Sequence, residues 1–283
     1  MLPLLEWLIK NHPTIKKTRL KQLLKHGSVT VNGRPVTRHD HPVKPGDKVS
    51  FLSKIQSVEN QIRKYLSFPI LFEDDTLLVI DKPAGLLTMG TEKDKIHTAY
   101  FELTDYCRTK SPDKRGRVFI VHRLDQDVSG LVLFSKNPAA KEALQENWQD
   151  VVKKYYAIVE GEPRQKIGKL ESYLVEDKFR RVYSTNERTR GAKRAVTLYR
   201  TLKSDGRHSL LEITLVTGRK NQIRVQLADL GHPVIGDAKY GSASDPAGRL
   251  GLHAFLLTFK NPKTGKTQTV ESPLPESLAG VIS

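Results

Sequence analysis

The sequence predicts an α+β protein in two parts, a small module of two helices and a hairpin followed by a larger sheet domain with helices packed on it. Three observations carry this. Helical spacing occurs twice near the N-terminus and gives way to a hairpin signature. Beyond residue 70 most apolar runs are short and bounded by turn residues, which is how strands behave. Between the two parts lies a polar, aperiodic stretch, SKIQSVENQIRKY from Ser53 to Tyr65, which reads as a linker with at most a short helix. The expected division is residues 1–60 for the module and linker and residues 61–283 for the main domain.

In chain order, Leu4, Leu5 and Leu8 recur at helical spacing between Leu2 and Ile9, and Pro13 closes the segment. A second helix spans Thr18 to His26, with Leu20, Leu23 and Leu24 on its apolar face and Gly27 as a C-terminal cap. Lys16, Lys17, Arg19, Lys21 and Lys25 surround that face. Ser28–Asn32 alternates as a strand into Asn32-Gly33, a pair suited to a tight hairpin, and Val49–Leu52 supplies another strand after Lys44-Pro45-Gly46-Asp47.

In the main domain, Ile70–Phe72 and Leu77–Ile80 read as paired strands and lead into Asp81-Lys82-Pro83-Ala84-Gly85-Leu86. Val118–Val121 and Leu131–Phe134 then flank a polar turn, His122–Gly130, whose centre carries Asp125. Asn137-Pro138 marks a helix start, an N-cap followed by proline in the first turn, with Ala140, Ala143, Leu144 and Trp148 continuing it. Lys153–Val159 is a strand that turns Tyr155 and Tyr156 to opposite faces. Leu170–Val175, Ala195–Leu202 and Leu210–Val216 are further strands, and the basic stretch 178–193 is a surface loop or hairpin. A glycine turn at Thr217-Gly218 opens a helix ending at Gly231, and Asn261-Pro262-Lys263-Thr264-Gly265 turns a last hairpin.

Charge narrows the partners. With 47 Lys+Arg against 31 Asp+Glu the formal net charge is +16, so the surface attracts polyanions, nucleic acid first and an anionic membrane surface as the alternative. The lone Cys107 forms no internal disulfide or metal cluster and suits a reducing compartment. No apolar run approaches the roughly 18 residues of a membrane span, and the N-terminus lacks the basic start of a secretory signal. A soluble, cytoplasmic monomer is expected.

Two strands around one polar turn would hold Asp125 and Arg123 in fixed positions, although an ordinary sheet connection explains the same pattern. The wording of the turn goes further. His122-Arg123-Leu124-Asp125-Gln126-Asp127-Val128-Ser129-Gly130-Leu131-Val132-Leu133-Phe134-Ser135-Lys136 resembles the HRLDxxTSGLLLxAK signature of the RluA-type pseudouridine synthases, with Val128 and Ser135 departing from it. Asp81–Leu86 resembles the family's first motif. Lys153–Val159 with Gly161 resembles KxYxAxVxG, Thr217–Leu227 resembles TGRxHQIRVHL with Asn221 and Gln226 in place of two histidines, and residues 232–254 follow the closing pattern GHPIxGDxxYG and LHA. Residues 14–52 resemble the S4 RNA-binding domain, through the basic helix, the HGxVxVNG-like run at His26–Gly33 and Val43–Asp47.

The resemblance implies a mixed, mostly antiparallel sheet with flanking helices and an S4 module. It implies isomerisation of uridine in ribosomal or transfer RNA, with no cofactor, no metal and no membrane partner. Asp125 is then the catalytic carboxylate, as nucleophile at the sugar or base at C2′; Tyr155 packs on the uracil ring, with help in proton removal from C5 as its second expected role; and Arg224 pairs with Asp125 through its planar fork. Arg123, His122 and Arg219 are expected to meet the RNA, Arg123 by filling the space left by a flipped base or gripping a phosphate. Lys16, Lys17, Arg19, Lys21 and Lys25 are the phosphate contacts expected of the module. A non-catalytic S4 protein with a degenerate synthase domain is the alternative. An S4-linked methyltransferase would need a glycine-rich donor site, and the sequence has none.

Overall fold

The computed structural model describes residues 2–13, 15–25, 28–52, 66–92, 94–113 and 115–282. The chain divides into two compact units, Met1–Ser67 with Arg108–Arg115, and Phe68–Cys107 with Gly116–Ser283. The expected linker at 53–65 and the expected cap at Gly27 lie outside the described residues.

The N-terminal unit runs β1 (Leu2–Pro3), α1 (Leu4–Asn11), α2 (Lys17–Lys25), β2 (Val29–Val31), β3 (Arg34–Pro35), β4 (Pro42–Val43) and β5 (Val49–Phe51). Leu4, Leu8, Leu20 and Leu24 from the two helices pack on Val29, Val31 and Val43. The first helix starts at Leu4, the first of the spaced leucines, and not at Leu2, because Leu2 and Pro3 pair with Val43 and Pro42 as a short strand. Asn32 and Gly33 take φ of 53° and 79°, the two positive values that a tight hairpin turn requires.

The rest of the chain supplies β6 (Ile70–Glu73), β7 (Leu77–Lys82), α3 (Ala99–Lys110), β8 (Phe119–Ile120), β9 (Ser129–Ser135), α4 (Pro138–Glu146), β10 (Val152–Glu160), β11 (Ile167–Glu176) and β12 (Val182–Thr185). It continues with β13 (Lys193–Ser204), β14 (His208–Leu215), α5 (Gln222–Asp229), β15 (Leu252–Lys260), β16 (Thr267–Glu271) and α6 (Glu276–Ala279). One 11-stranded sheet follows the path β12-β11-β13-β14-β10-β15-β9-β7-β6, with β16 on β15 and β8 on β9. Among the described strands of this sheet, β15 beside β9 is the one parallel pair. The basic stretch 178–193 therefore contains one arm of a hairpin, β12 returning along β11.

The parallel contact matters for the site. His253 and Ala254 lie beside Ser129 and Gly130. Gly130 has φ of 114°, and a Cβ there would sit 2.2 Å from the Ala254 carbonyl oxygen, so no larger residue lets the two strands approach this closely. The strand leaving the Asp125 turn is thereby fixed against the strand of the closing motif.

Asn137 caps α4, its Oδ1 accepting the Ala140 N–H at 2.8 Å, and Pro138 fills the first helical position. Ala140 and Leu144 then pack on Leu77, Val79, Leu131, Leu133, Leu257 and Phe259. The helix stops at Glu146, short of expectation, and Trp148 falls in a separate 3-10 turn. Helix α3 had no apolar periodicity to announce it; it buries Leu103, Tyr106 and Cys107.

Candidate active site

Asp125 lies in the connection between β8 and β9, and the backbone on either side of it is fastened to the segment after β7. The fully buried Lys82 donates from Nζ to the carbonyls of Pro83 at 2.9 Å, Leu86 at 2.8 Å and Gln126 at 3.0 Å. Gln126 also exchanges bonds with Gly85: the Gly85 N–H donates to the Gln126 carbonyl at 2.9 Å, and Gln126 Nε2 to the Gly85 carbonyl at 3.0 Å. On the other side of the carboxylate, Thr88 Oγ1 donates to the Leu124 carbonyl at 2.8 Å and accepts the Leu124 N–H at 3.3 Å. Both neighbours of Asp125 are thus pinned.

Lys82 is a bracing residue of the site that sequence reasoning passed over as part of a turn. Burial pulls its ammonium down to about 8, against the opposing charges of Asp127 and Asp125. Its three carbonyl acceptors match the three donors of an ammonium. A lysine at the inner end of an otherwise apolar strand, directly before proline, was the available signal.

Asp125 shares a cleft of about 490 Å³ with Tyr155 and Arg224, and Met89, Arg123 and Arg219 also border it. Tyr155 comes from β10, opposite Ile213 of β14 and Ala254 of β15. Burial, and then the charge of Asp125, push its phenol up. Tyr156 turns to the other face as expected and stacks on Phe255, with ring centroids 3.8 Å apart and planes 10° apart.

Arg224 departs from expectation. Its planar fork is taken by Asp237, with Nε to Oδ2 at 2.6 Å and Nη2 to Oδ1 at 2.7 Å, rather than by Asp125. Asp125 acts on Arg224 only as a nearby charge, helping Asp237 hold the guanidinium up against burial. Tyr240 lies under the guanidinium, 5.1 Å from Cζ to the ring centroid, and its hydroxyl accepts from Asn221 Nδ2 at 2.8 Å. Asn221, one of the two departures from the motif that Thr217–Leu227 resembles, therefore serves this cluster. The other, Gln226, donates to Ser172 Oγ and the Ala195 carbonyl inside the fold.

His122 is half-buried and lines the same cleft. Its Nε2 accepts the Leu133 N–H at 3.0 Å and its ring lies against Trp148 at 4.6 Å. Burial, aided by Lys153, brings the imidazole down to about 3, so at neutral pH it is an uncharged brace for β9. Arg123 is exposed at the cleft, where its Nη1 reaches Met89 Sδ at 3.2 Å. Arg219 is exposed as well and donates from Nε to the Arg194 carbonyl. In the N-terminal unit Lys16, Lys17, Arg19, Lys21 and Lys25 are all exposed, and Lys17, Lys21 and Lys25 repeat every fourth residue along α2.

A carboxylate on a braced turn, opening on a cleft edged by arginines in a chain of net charge +16, belongs to an enzyme that works on a polyanion. Residues 76–229 match the RNA pseudouridylate synthase family, and residues 15–49 match the S4 domain. The chain therefore belongs to the RNA pseudouridylate synthases, the isomerases that convert uridine in RNA to pseudouridine, and carries an S4 domain. It is 34% identical over 271 residues to the uncharacterized RNA pseudouridine synthase YlyB of Bacillus subtilis, covering 94% of this chain and 88% of that one. It is 32% identical to ribosomal large subunit pseudouridine synthase D of Neisseria meningitidis, covering 98% and 76%. Among solved structures it resembles human RNA pseudouridylate synthase domain containing 4, with a TM-score of 0.64 and 26% identity over 78% of this chain and 94% of that one.

Proposed function

We propose that this chain isomerises uridine in large-subunit ribosomal RNA, with Asp125 as the reacting carboxylate, Tyr155 against the uracil ring and Arg224 as the cation nearby. The observation carrying this is that the three residues, from the β8–β9 turn, β10 and α5, line one cleft. The bond from N1 to C1′ breaks, a bond from C5 to C1′ forms, and the proton that leaves C5 to solvent is balanced by one taken up at N1. Asp125 serves either as nucleophile at the sugar or as base at C2′. A phenol pushed up by burial stays protonated at neutral pH, so Tyr155 offers the base a flat apolar partner rather than a general base. The target uridine must leave the stack to enter such a cleft, and Arg123 stands exposed at its edge to meet the strand it leaves.

The large-subunit RNA is favoured over transfer RNA by the Neisseria relative, whose name states that substrate. The S4 unit supplies affinity through the exposed cations of α2. With one cysteine in the sequence, we assign the work to the cytoplasm, by a monomer. Mapping pseudouridine in RNA from cells with and without the gene tests the reading: a site missing from large-subunit RNA is expected, a site missing only from transfer RNA overturns the substrate, and an unchanged map favours the non-catalytic alternative.

A further inference from the structure

We propose that His253 is a positioning residue: protonated at Nε2 and bare at Nδ1, it fixes the exit of the Asp125 turn into β9 through a one-way chain of hydrogen bonds that runs from Arg249 to Asp81. The inference rests on the reading of Asp125 as the reacting carboxylate.

The members of the chain are far apart in sequence and meet in the fold. Arg249 Nη2 donates to Ser129 Oγ at 2.5 Å, and Ser129 Oγ lies 2.8 Å from His253 Nδ1. His253 Nε2 lies 3.1 Å from Ser272 Oγ, which donates to Asp81 Oδ2 at 2.6 Å. The two ends set the direction, because a guanidinium only donates and a carboxylate oxygen accepts. Ser272 spends its one proton on Asp81 and so must accept from His253, which places the ring proton on Nε2. Burial brings the imidazole down to about 4, against the charge of Asp81 and aided by that of Arg249, so at neutral pH there is no second ring proton. Ser129, already accepting from Arg249, gives its proton to the bare Nδ1. Each hydroxyl and ring proton of the chain thus has one place to go.

The chain lies where the backbone ties the sheet least. Strand β15 meets β9 at His253 beside Ser129 and Ala254 beside Gly130, whereas β7 runs beside β9 from Leu77 to Lys82. The side chains bind the same three strands a second time, through Asp81 on β7, Ser129 on β9 and His253 on β15. Lys82 and Thr88 hold the middle of the Asp125 turn at the Gln126 and Leu124 carbonyls, and the chain holds its exit at Ser129. Ser129, His253 and Ser272 are all buried, so a partner lost there is not replaced by bulk water.

Among the described residues, the charged groups acting on His253 are Asp81 from β7 and Arg249 from the segment before β15. Lys82, next to Asp81, is engaged by its three carbonyls. The ring has a different task at each nitrogen: Nδ1 serves the serine that closes the Asp125 turn, and Nε2 serves the serine that follows β16. A change at Nδ1 therefore reaches the turn directly, and a change at Nε2 does not.

The test separates those two tasks in the full-length chain. In place of a histidine, the amide oxygen of asparagine falls near Nδ1 and the amide nitrogen of glutamine near Nε2. His253→Asn thus keeps the acceptor for Ser129, and His253→Gln keeps the donor to Ser272. Tritium release from C5-labelled large-subunit RNA gives kcat and KM, with urea unfolding of the same preparations. Both variants should lose stability, but His253→Gln should lose roughly tenfold or more in kcat with KM little changed, while His253→Asn stays within about threefold of the original, because only the first frees the turn to shift. Ser129→Ala should repeat the loss in kcat and Ser272→Ala should not, and this pair carries the test if the histidine variants fail to fold. Nitrogen-15 NMR of the unsubstituted, histidine-labelled protein at neutral pH should show His253 protonated at Nε2 alone. A ring protonated at Nδ1, or a kcat for His253→Gln equal to or above that of His253→Asn, overturns the proposal, as does a kcat for Ser129→Ala equal to or above that of Ser272→Ala. Asp125→Asn is run beside them: turnover there would sink the assignment of Asp125, whereas an inactive Asp125→Asn with equal kcat in the two histidine variants would sink only the positioning role.

Discussion

The Lys82 ammonium donates to the Gln126 carbonyl at 3.0 Å, joining the inner end of β7 to the residue that immediately follows Asp125. Two motifs far apart in sequence are thereby one mechanical piece, and the position of the carboxylate is inherited from the sheet. Lys82→Met should fill the same space without the three bonds. Each abandoned carbonyl costs about 1–3 kcal/mol, partly offset by no longer burying a charge, so we expect a net loss of roughly 2 kcal/mol by urea unfolding. The rate should fall by roughly tenfold or more, because even a small displacement of Asp125 spoils its approach to the reacting atom. An unchanged rate would mean that Gly85 and Thr88 hold the turn without it.

Asp125→Asn should abolish tritium release while leaving the fold and most RNA affinity intact, because affinity comes mainly from phosphate contacts remote from the carboxylate. Filter binding alongside the turnover assay separates the two. Appreciable turnover would remove Asp125 from the chemistry.

Arg224→Lys should harm stability as well as rate. Lysine keeps the charge but cannot match both oxygens of the buried Asp237, which is 1% exposed. A poorly matched buried pair costs about 3 kcal/mol. Thermal unfolding and turnover measured on the same preparation check this; a stable variant with a large rate loss would return the fork to Asp125.

Lys17, Lys21 and Lys25 form an exposed stripe along α2. Replacing all three by glutamine should weaken RNA binding and lower the slope of log affinity against log salt by about 0.7 to 0.9 for each phosphate no longer neutralised. Single-turnover rate at saturating enzyme should stay near the original. An unaltered salt slope would show that the stripe does not touch RNA.

Acid sensitivity follows from two buried imidazoles. Burial brings His122 down to about 3 and His253 to about 4, from an ordinary value of 6.5. As pH falls below about 6.5 the unfolded chain takes up protons that the folded chain refuses. Stability is therefore lost from there downward, and the loss levels off once the folded chain also protonates, near 4 for His253 and near 3 for His122. His122→Gln keeps an acceptor for the Leu133 N–H and removes one of the two titrations. Denaturation at pH 6 and pH 5 should show the slope reduced by up to about 1.4 kcal/mol per pH unit. An unchanged slope would mean that His122 is not held neutral.

Local chemistry was legible wherever one residue determines one backbone event. Asn32-Gly33 announced its hairpin because few other pairs accept two positive φ values, Asn137-Pro138 announced α4 through a cap and a missing N–H, and the alternation of β10 separated Tyr155 from Tyr156. The motif words around Asp125, Tyr155 and Arg224 named the family, since a motif is itself a local pattern. Pairings between distant side chains carry no such mark. Which carboxylate takes the Arg224 fork, which carbonyls receive the Lys82 ammonium, and which N–H the His122 ring accepts depend on how segments meet after the sheet has formed. At Gly130 the approach of β15 leaves no room for a Cβ, and at Asp237 a buried carboxylate takes the bonds to Arg224 that Asp125 does not. The sequence by itself determined which residues could do the chemistry; the packing of β7, β9, β15 and α5 decided which of them are held, and by what.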